Sequence, residues 1–154
     1  MSAAVAGARI VSSDPGRAEA LLAALDGHLD QLYPECAGLG LTLDDLRQAN
    51  VYFAIAQDAG GAPIGCGAFC RHHGYAEMKR VWIQPAHRRS GLARKLFAHL
   101  EAQLRLEGVR VARLETGNRQ PGAVACFTRL GYSACPPFGD YPANGISLFF
   151  EKPL

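Results

Sequence analysis

The stretch Arg88-Arg89-Ser90-Gly91-Leu92-Ala93-Arg94-Lys95-Leu96 places four cations in nine residues and leads straight into an amphipathic segment. Leu92, Leu96, Leu100 and Leu104 recur at helical spacing with Phe97 beside them, and Gly108 follows as a cap, which predicts a helix over 91–107. Pro85 stops the strand-like run before it, so the basic residues occupy a turn between a strand and a helix. The first N–H groups of a helix lack intrahelical partners and sit at the positive end of its dipole, so such a turn receives anions. Gly91 and Ala93 keep bulk away, and Arg88, Arg89, Arg94 and Lys95 add charge, which suits a diphosphate better than one carboxylate.

The elements on either side follow from the same kind of spacing. "ARIV" (8–11) reads as a first strand, and Asp14-Pro15 caps a helix to about Tyr33. Thr42-x-x-Asp45 forms a capping box for a short helix to about Ala49. "VYFAIAQ" (51–57), 62–72 and 75–84 read as an antiparallel meander of three strands. After the helix, 109–116 is a strand, 121–130 a helix ended by Gly131, and "YSACP" and "ISLFFEK" are the last strands. Strand, helix and strand over 75–116 imply a right-handed parallel crossover, so the sheet is expected to be mixed.

Composition narrows the class. A chain of 154 residues, 49% hydrophobic, can bury one core, and no linker divides it, so one domain over 1–154 is expected. Sixteen basic residues against 14 acidic leave a net charge of +2, and the one strong basic cluster is the turn at 88–95, so no nucleic-acid partner is expected. The opening residues carry no basic leader with an apolar run, and no segment is long enough to span a membrane, so a cytoplasmic protein without a membrane partner is expected. Cys36, Cys66, Cys70, Cys126 and Cys135 contain no C-x-x-C pair and sit among aliphatic residues, which points to reduced structural thiols and no metal site. There is no G-x-x-x-x-G-K-[ST] loop, and Gly65-Cys66-Gly67 lies inside a strand with no third spaced glycine, so neither common nucleotide fingerprint is present.

Arg88-x-x-Gly91-x-Ala93, preceded by "VWIQPAHR" and followed, after a helix and a strand, by "AVACFTRLGY", resembles the GNAT superfamily of N-acetyltransferases, whose signature is [QR]-x-x-G-x-[GA]. The match is good over roughly 62–152. The resemblance implies an α/β (α+β) fold, a GNAT-type domain with a mixed central sheet of about seven strands and about four helices. It also implies acetyl-CoA as co-substrate and acetyl transfer to a primary amine in a ternary complex. Carried over, Arg89, Ser90, Gly91, Leu92, Ala93 and Arg94 would contact the diphosphate, with Arg88 bracing the turn. Val81, Trp82 and Ile83 would line the pantetheine arm, joined by Asn118, and Phe127 would pack on CoA.

Chemistry asks for a base, because an alkyl amine with a pKa of about 10 is mostly ammonium at neutral pH. Glu77, eleven residues before Arg88, has the spacing of the general-base glutamate in histone-type members; the alternative is a sheet ion pair with Lys79, Arg80 or Arg113. Strand alternation puts Glu77, Lys79 and Val81 on one face and Met78, Arg80 and Trp82 on the other unless a bulge intervenes. Glu115 is a second carboxylate for the acceptor site, and His72 and His73 are further candidate bases, with surface positions at a strand end as the alternative. Many members carry tyrosine where this chain has Phe127, which cannot donate a proton; Tyr141, Tyr132 or Cys126 would substitute, or the thiolate leaves with solvent help. For the acceptor, Glu35, Asp140 and Glu77 would offer negative charge, and Tyr33, Phe138 and Tyr141 aromatic walls around a small amine. A protein or aminoacyl-tRNA acceptor and a non-catalytic acyl-CoA-binding module are the alternatives, on a monomer or homodimer.

Overall fold

The computed structural model describes residues 7–154, and the expectation about a leader falls partly on residues 1–6, outside that range. Strands β1 (Arg9–Ser12), β2 (Val51–Gln57), β3 (Pro63–His72), β4 (Tyr75–Ile83), β5 (Val111–Gly117), β6 (Ser133–Ala134) and β7 (Ser147–Pro153) form one sheet in the order β1-β2-β3-β4-β5-β7-β6. Only β4 and β5 run parallel, so the sheet is mixed. The helices are α1 (Glu19–Leu32), α2 (Leu43–Leu46), α3 (Leu92–Leu106) and α4 (Pro121–Arg129).

Local chemistry sets the ends of these elements. Asp14 accepts from the Gly16 N–H at 2.9 Å and opens a 3₁₀ turn, Pro15–Ala18, that runs on into α1. The capping box forms: the Asp45 N–H donates to Thr42 at 3.1 Å and the Thr42 N–H to Asp45 at 2.9 Å. Yet α2 ends at Leu46, one turn long, and not near Ala49. Only Leu46 of that turn is buried, too little apolar surface to hold a longer helix.

Each face of the sheet carries its own core. On one, Leu92, Leu96, Phe97, Leu100 and Leu104 of α3 pack on Ala54, Phe69, Ala76 and Met78; each leucine fully buried there stabilises by roughly 1.5–3 kcal/mol. On the other, Leu21, Leu22 and Leu25 of α1 pack on Phe53, Ile55, Ala68 and Trp82. The glycines flanking Cys66 are explained by close neighbours, α3 over Gly67 and β4 beside Gly65. A Cβ on Gly67 would lie 3.2 Å from Leu96 and 3.3 Å from Leu100, and one on Gly65 2.8 Å from Ile83. Glycine at 67 lets the helix lie close on the sheet, and glycine at 65 leaves room for the Ile83 side chain.

A β-bulge in β4 resets its alternation. Cys66 pairs with Trp82 but Ala68 with Lys79, so Gly67 faces two residues, Arg80 and Val81, and Arg80 takes a left-handed φ of 56°. The expected grouping of Val81 with Glu77 therefore fails. Val81 joins Met78 in the α3 core, while Trp82 packs in the α1 core and Arg80 pairs with Asp26 of α1.

Candidate active site

β4 and β5 pair only at Ala76 with Ala112 and Glu77 with Arg113. Beyond that point the strands separate, and among the described residues the facing edge of β4 from Met78 to Ile83 has no strand partner. Unpaired main-chain groups on such an edge accept an extended ligand as a further strand. The split opens into a cleft of about 1150 Å³ that runs from the turn at 87–94 to Tyr141, with α1 as one wall and α4 as another.

The turn fits a diphosphate. Arg89 and Gly91 both have left-handed backbones, φ 57° and 85°, the kind of conformation that builds anion-binding concavities. Among the described residues, no acceptor is paired with the N–H groups of Arg89 through Arg94. A Cβ on Gly91 would meet nothing within 4 Å, so the space before the turn is open. Two of the four cations are spent on structure. Arg88 donates to the Ile83 carbonyl at 3.0 Å with its guanidinium 4.5 Å from the Trp82 ring, and Lys95 donates to the Ala8 carbonyl. Arg89 and Arg94 line the cleft and supply its charge. Phe127 lines it from α4 and packs on Phe97 at 5.9 Å, and Cys126 lies next to it.

Of the two carboxylates named from the sequence, Glu115 lines the cleft and Glu77 does not. The Glu77 side chain is 8% exposed and lies behind Tyr141, whose hydroxyl donates to Glu77 Oε2. Lys79 Nζ donates to the Tyr141 oxygen at 2.8 Å and lies 3.5 Å from Glu77 Oε2, and His72 Nε2 is 3.6 Å from Oε1. Burial, reinforced by the hydrogen bond to Glu77, raises the Tyr141 pKa and holds the phenol protonated. Glu115 accepts from Ser147 Oγ at 2.5 Å, and burial raises its pKa while Ser147 and Lys79 pull it down.

The other sequence-named residues are placed as follows. Phe138 is buried behind Tyr141, edge-on to Phe149 at 5.3 Å and to Tyr141 at 6.0 Å, so it supports the Tyr141 ring. Asn118 donates to the Gly145 carbonyl at 3.0 Å and fastens the loop before β7. Tyr33 lines the cleft with its ring, but its hydroxyl accepts the Arg119 N–H at 2.9 Å and donates to Gln120 at 3.3 Å. Glu35 is taken by Arg119 at 2.6 Å, and its pKa is lowered by a backbone hydrogen bond and by Arg119. Asp140 is exposed and does not line the cleft. The proposed ring of negative charge is thus reduced to Glu115. Arg119, Lys79 and Ser147 went unread in the sequence as cleft residues; the lone cation in "TGNRQP" was a signal for Arg119, whereas nothing local marks Ser147.

A split parallel pair above a turn with free N–H groups suits an acyl carrier with a diphosphate and an extended arm. The chain belongs to the acetyltransferase (GNAT) family, whose model matches residues 18–132. It is 35% identical over 136 residues to an IAA acetyltransferase of Azospirillum brasilense, covering 87% of this chain and 88% of that protein. The crystal structure of a protein from Klebsiella pneumoniae, provisionally described as an acyl-CoA N-acyltransferase, is 36% identical and superposes with a TM-score of 0.80 over 96% of this chain and 97% of its own. PaiA N-acetyltransferase of Thermoplasma acidophilum in complex with coenzyme A, 14% identical with a TM-score of 0.76 over 96% and 99% of the two chains, shares the fold. The protein is an acetyl-CoA-dependent GNAT N-acetyltransferase. Among the described residues no helix is long and apolar enough to cross a membrane.

Proposed function

We propose that the acceptor is the primary amine of a small molecule, that it attacks acetyl-CoA directly in the cleft between β4 and β5, and that Glu115 is the base. One observation carries the assignment of the base: among the described residues, Glu115 is the sole carboxylate lining the cleft, and burial raises its pKa toward the working range of a general base. The name of the Azospirillum relative supports a small acceptor over a macromolecule.

Glu115 takes one proton from the ammonium, and the freed lone pair forms the C–N bond at the thioester carbon. Diphosphate held at 89–94 and the arm along β4 fix that carbon near Tyr141 and Glu115. As the intermediate collapses, the C–S bond breaks and the departing sulfur takes the second proton from nitrogen; Glu115 returns the first to solvent. No separate acid is required, because a thiol of pKa about 8.5 is already a competent leaving group. Tyr141 is a poor candidate for that acid role, since its pKa is raised and loss of its proton would leave a phenolate against Glu77. It holds position as a hydrogen-bonding wall, with Glu77 and Lys79 orienting it.

Glu115→Gln is expected to lower kcat by about 10²–10⁴ while acetyl-CoA affinity stays unchanged. Full activity in that variant together with loss in Glu77→Gln would return the role of base to Glu77.

A further inference from the structure

The α1 wall of the cleft is apolar apart from His28. Leu25, Leu29 and Leu32 of α1 and Leu39 and Leu41 of the following segment line it, with Trp82 on β4. Leu39 is 78% exposed, a large apolar side chain of the cleft lining that the other described residues leave largely uncovered. An exposed apolar surface continuous with a reaction centre marks where substrate is buried.

Charge points to the same occupant. The cations on this part of the cleft are Lys79, Arg80 and Arg119. Their acidic partners lie outside the lining: Asp26 holds Arg80 at 2.5 Å, Glu35 holds Arg119 at 2.6 Å, and Glu77 lies 3.5 Å from Lys79. Glu115 alone faces the cleft, and it is occupied with the reacting nitrogen. A second ammonium on the acceptor would therefore meet cations and leucines, with no carboxylate to receive it.

We infer that the acceptor is a primary amine on an apolar body that carries no second positive charge, which excludes polyamines and diamines as preferred substrates. This rests on the reading of the cleft as an amine acetyltransferase site and specifies what the rest of the acceptor must be.

The test compares 2-phenylethylamine with spermidine and cadaverine, both in turnover with acetyl-CoA and in calorimetric binding to the protein–CoA complex. The expected result is a kcat/KM and an affinity at least tenfold higher for 2-phenylethylamine. Leu39→Asp, at an exposed position that folding does not depend on, is expected to raise KM for 2-phenylethylamine about tenfold with little change in kcat, and to narrow the gap to cadaverine. Equal or tighter binding of spermidine, or an unaltered KM in Leu39→Asp, would overturn the inference. Acetylation of spermidine alone would overturn it while leaving amine transfer intact. If none of these amines is acetylated, the amine reading fails, and the ratio of binding affinities still decides the character of the body.

Discussion

The Tyr33 hydroxyl lies so close above Gly117 that a Cβ there would fall 2.1 Å from its oxygen and 2.2 Å from its ring carbon. Tyr33 is buried at the end of α1, and Gly117 ends β5, so this contact seats α1 over the cleft. A methyl group at Gly117 must push the ring out or separate the elements. Gly117→Ala is expected to cost about 1–3 kcal/mol. Thermal melts of Gly117→Ala, of Tyr33→Leu and of the double variant check it: the double should lose less than the sum, because the clash is shared. Strict additivity would mean the contact carries no strain.

Gly91 combines a φ of 85° with open space where a side chain would project. Gly91→Val adds left-handed strain of about 1–2 kcal/mol and places bulk before the free N–H groups. Acetyl-CoA affinity is expected to fall at least tenfold with a modest loss in Tm, read by titration calorimetry and melting. Unchanged affinity would remove the diphosphate from this turn.

With Glu115 as the proposed base, activity is expected to depend on pH through it. Its folded pKa is raised by burial, and the base must be ionised, so kcat should fall on acidification with a midpoint above the ordinary carboxylate value of 4.5. Glu77 contributes to that elevation, so Glu77→Gln should move the acid limb to lower pH, and Glu115→Gln should abolish it. For stability the sign is set by the same shift. A raised folded pKa means that Glu115 favours the folded state below its unfolded pKa and loses that contribution as pH rises through the folded value. Denaturant titrations of Glu115→Gln should therefore show a shallower decline in stability from about pH 4.5 upward. An identical slope in wild type and variant would contradict the shift.

Glu101 is buried on α3 and accepts from Tyr132 at 2.8 Å and from Lys152 at 2.8 Å, tying the helix to the turn after α4 and to β7. Glu101→Leu strands the Lys152 ammonium, and because Lys152 is only partly exposed the cost is expected to be about 3 kcal/mol, a fall in Tm of roughly 6–12 °C. Adding Lys152→Met should recover much of it. No recovery in the double variant would show that the loss comes from packing and not from an unpaired charge.

The order of elements, the mixed sheet, the anion-binding turn and the family were legible in the sequence, because each depends on residues close together in the chain. Helical spacing over 92–104, proline at 85 and glycine at 91 act locally, and the free N–H groups of a helix start follow from them whatever packs nearby. The catalytic arrangement was not legible in the same way. Glu77 and Glu115 look equivalent along the chain; what separates them is that Tyr141, from 64 residues away, closes over Glu77. The charge of the acceptor site depended likewise on pairings across the fold, Arg119 with Glu35 and Arg80 with Asp26, which leave an apolar wall where acidic residues had suggested an anionic one. The bulge at Arg80 also reversed the phase of β4, since one added residue turns every later side chain to the opposite face. Sequence by itself determined the fold and marked the turn whose free N–H groups are proposed to hold acetyl-CoA, through short-range geometry. Only the tertiary structure decided which carboxylate lies open to the cleft and what surrounds it, because burial and charge pairing are set by residues distant in the chain.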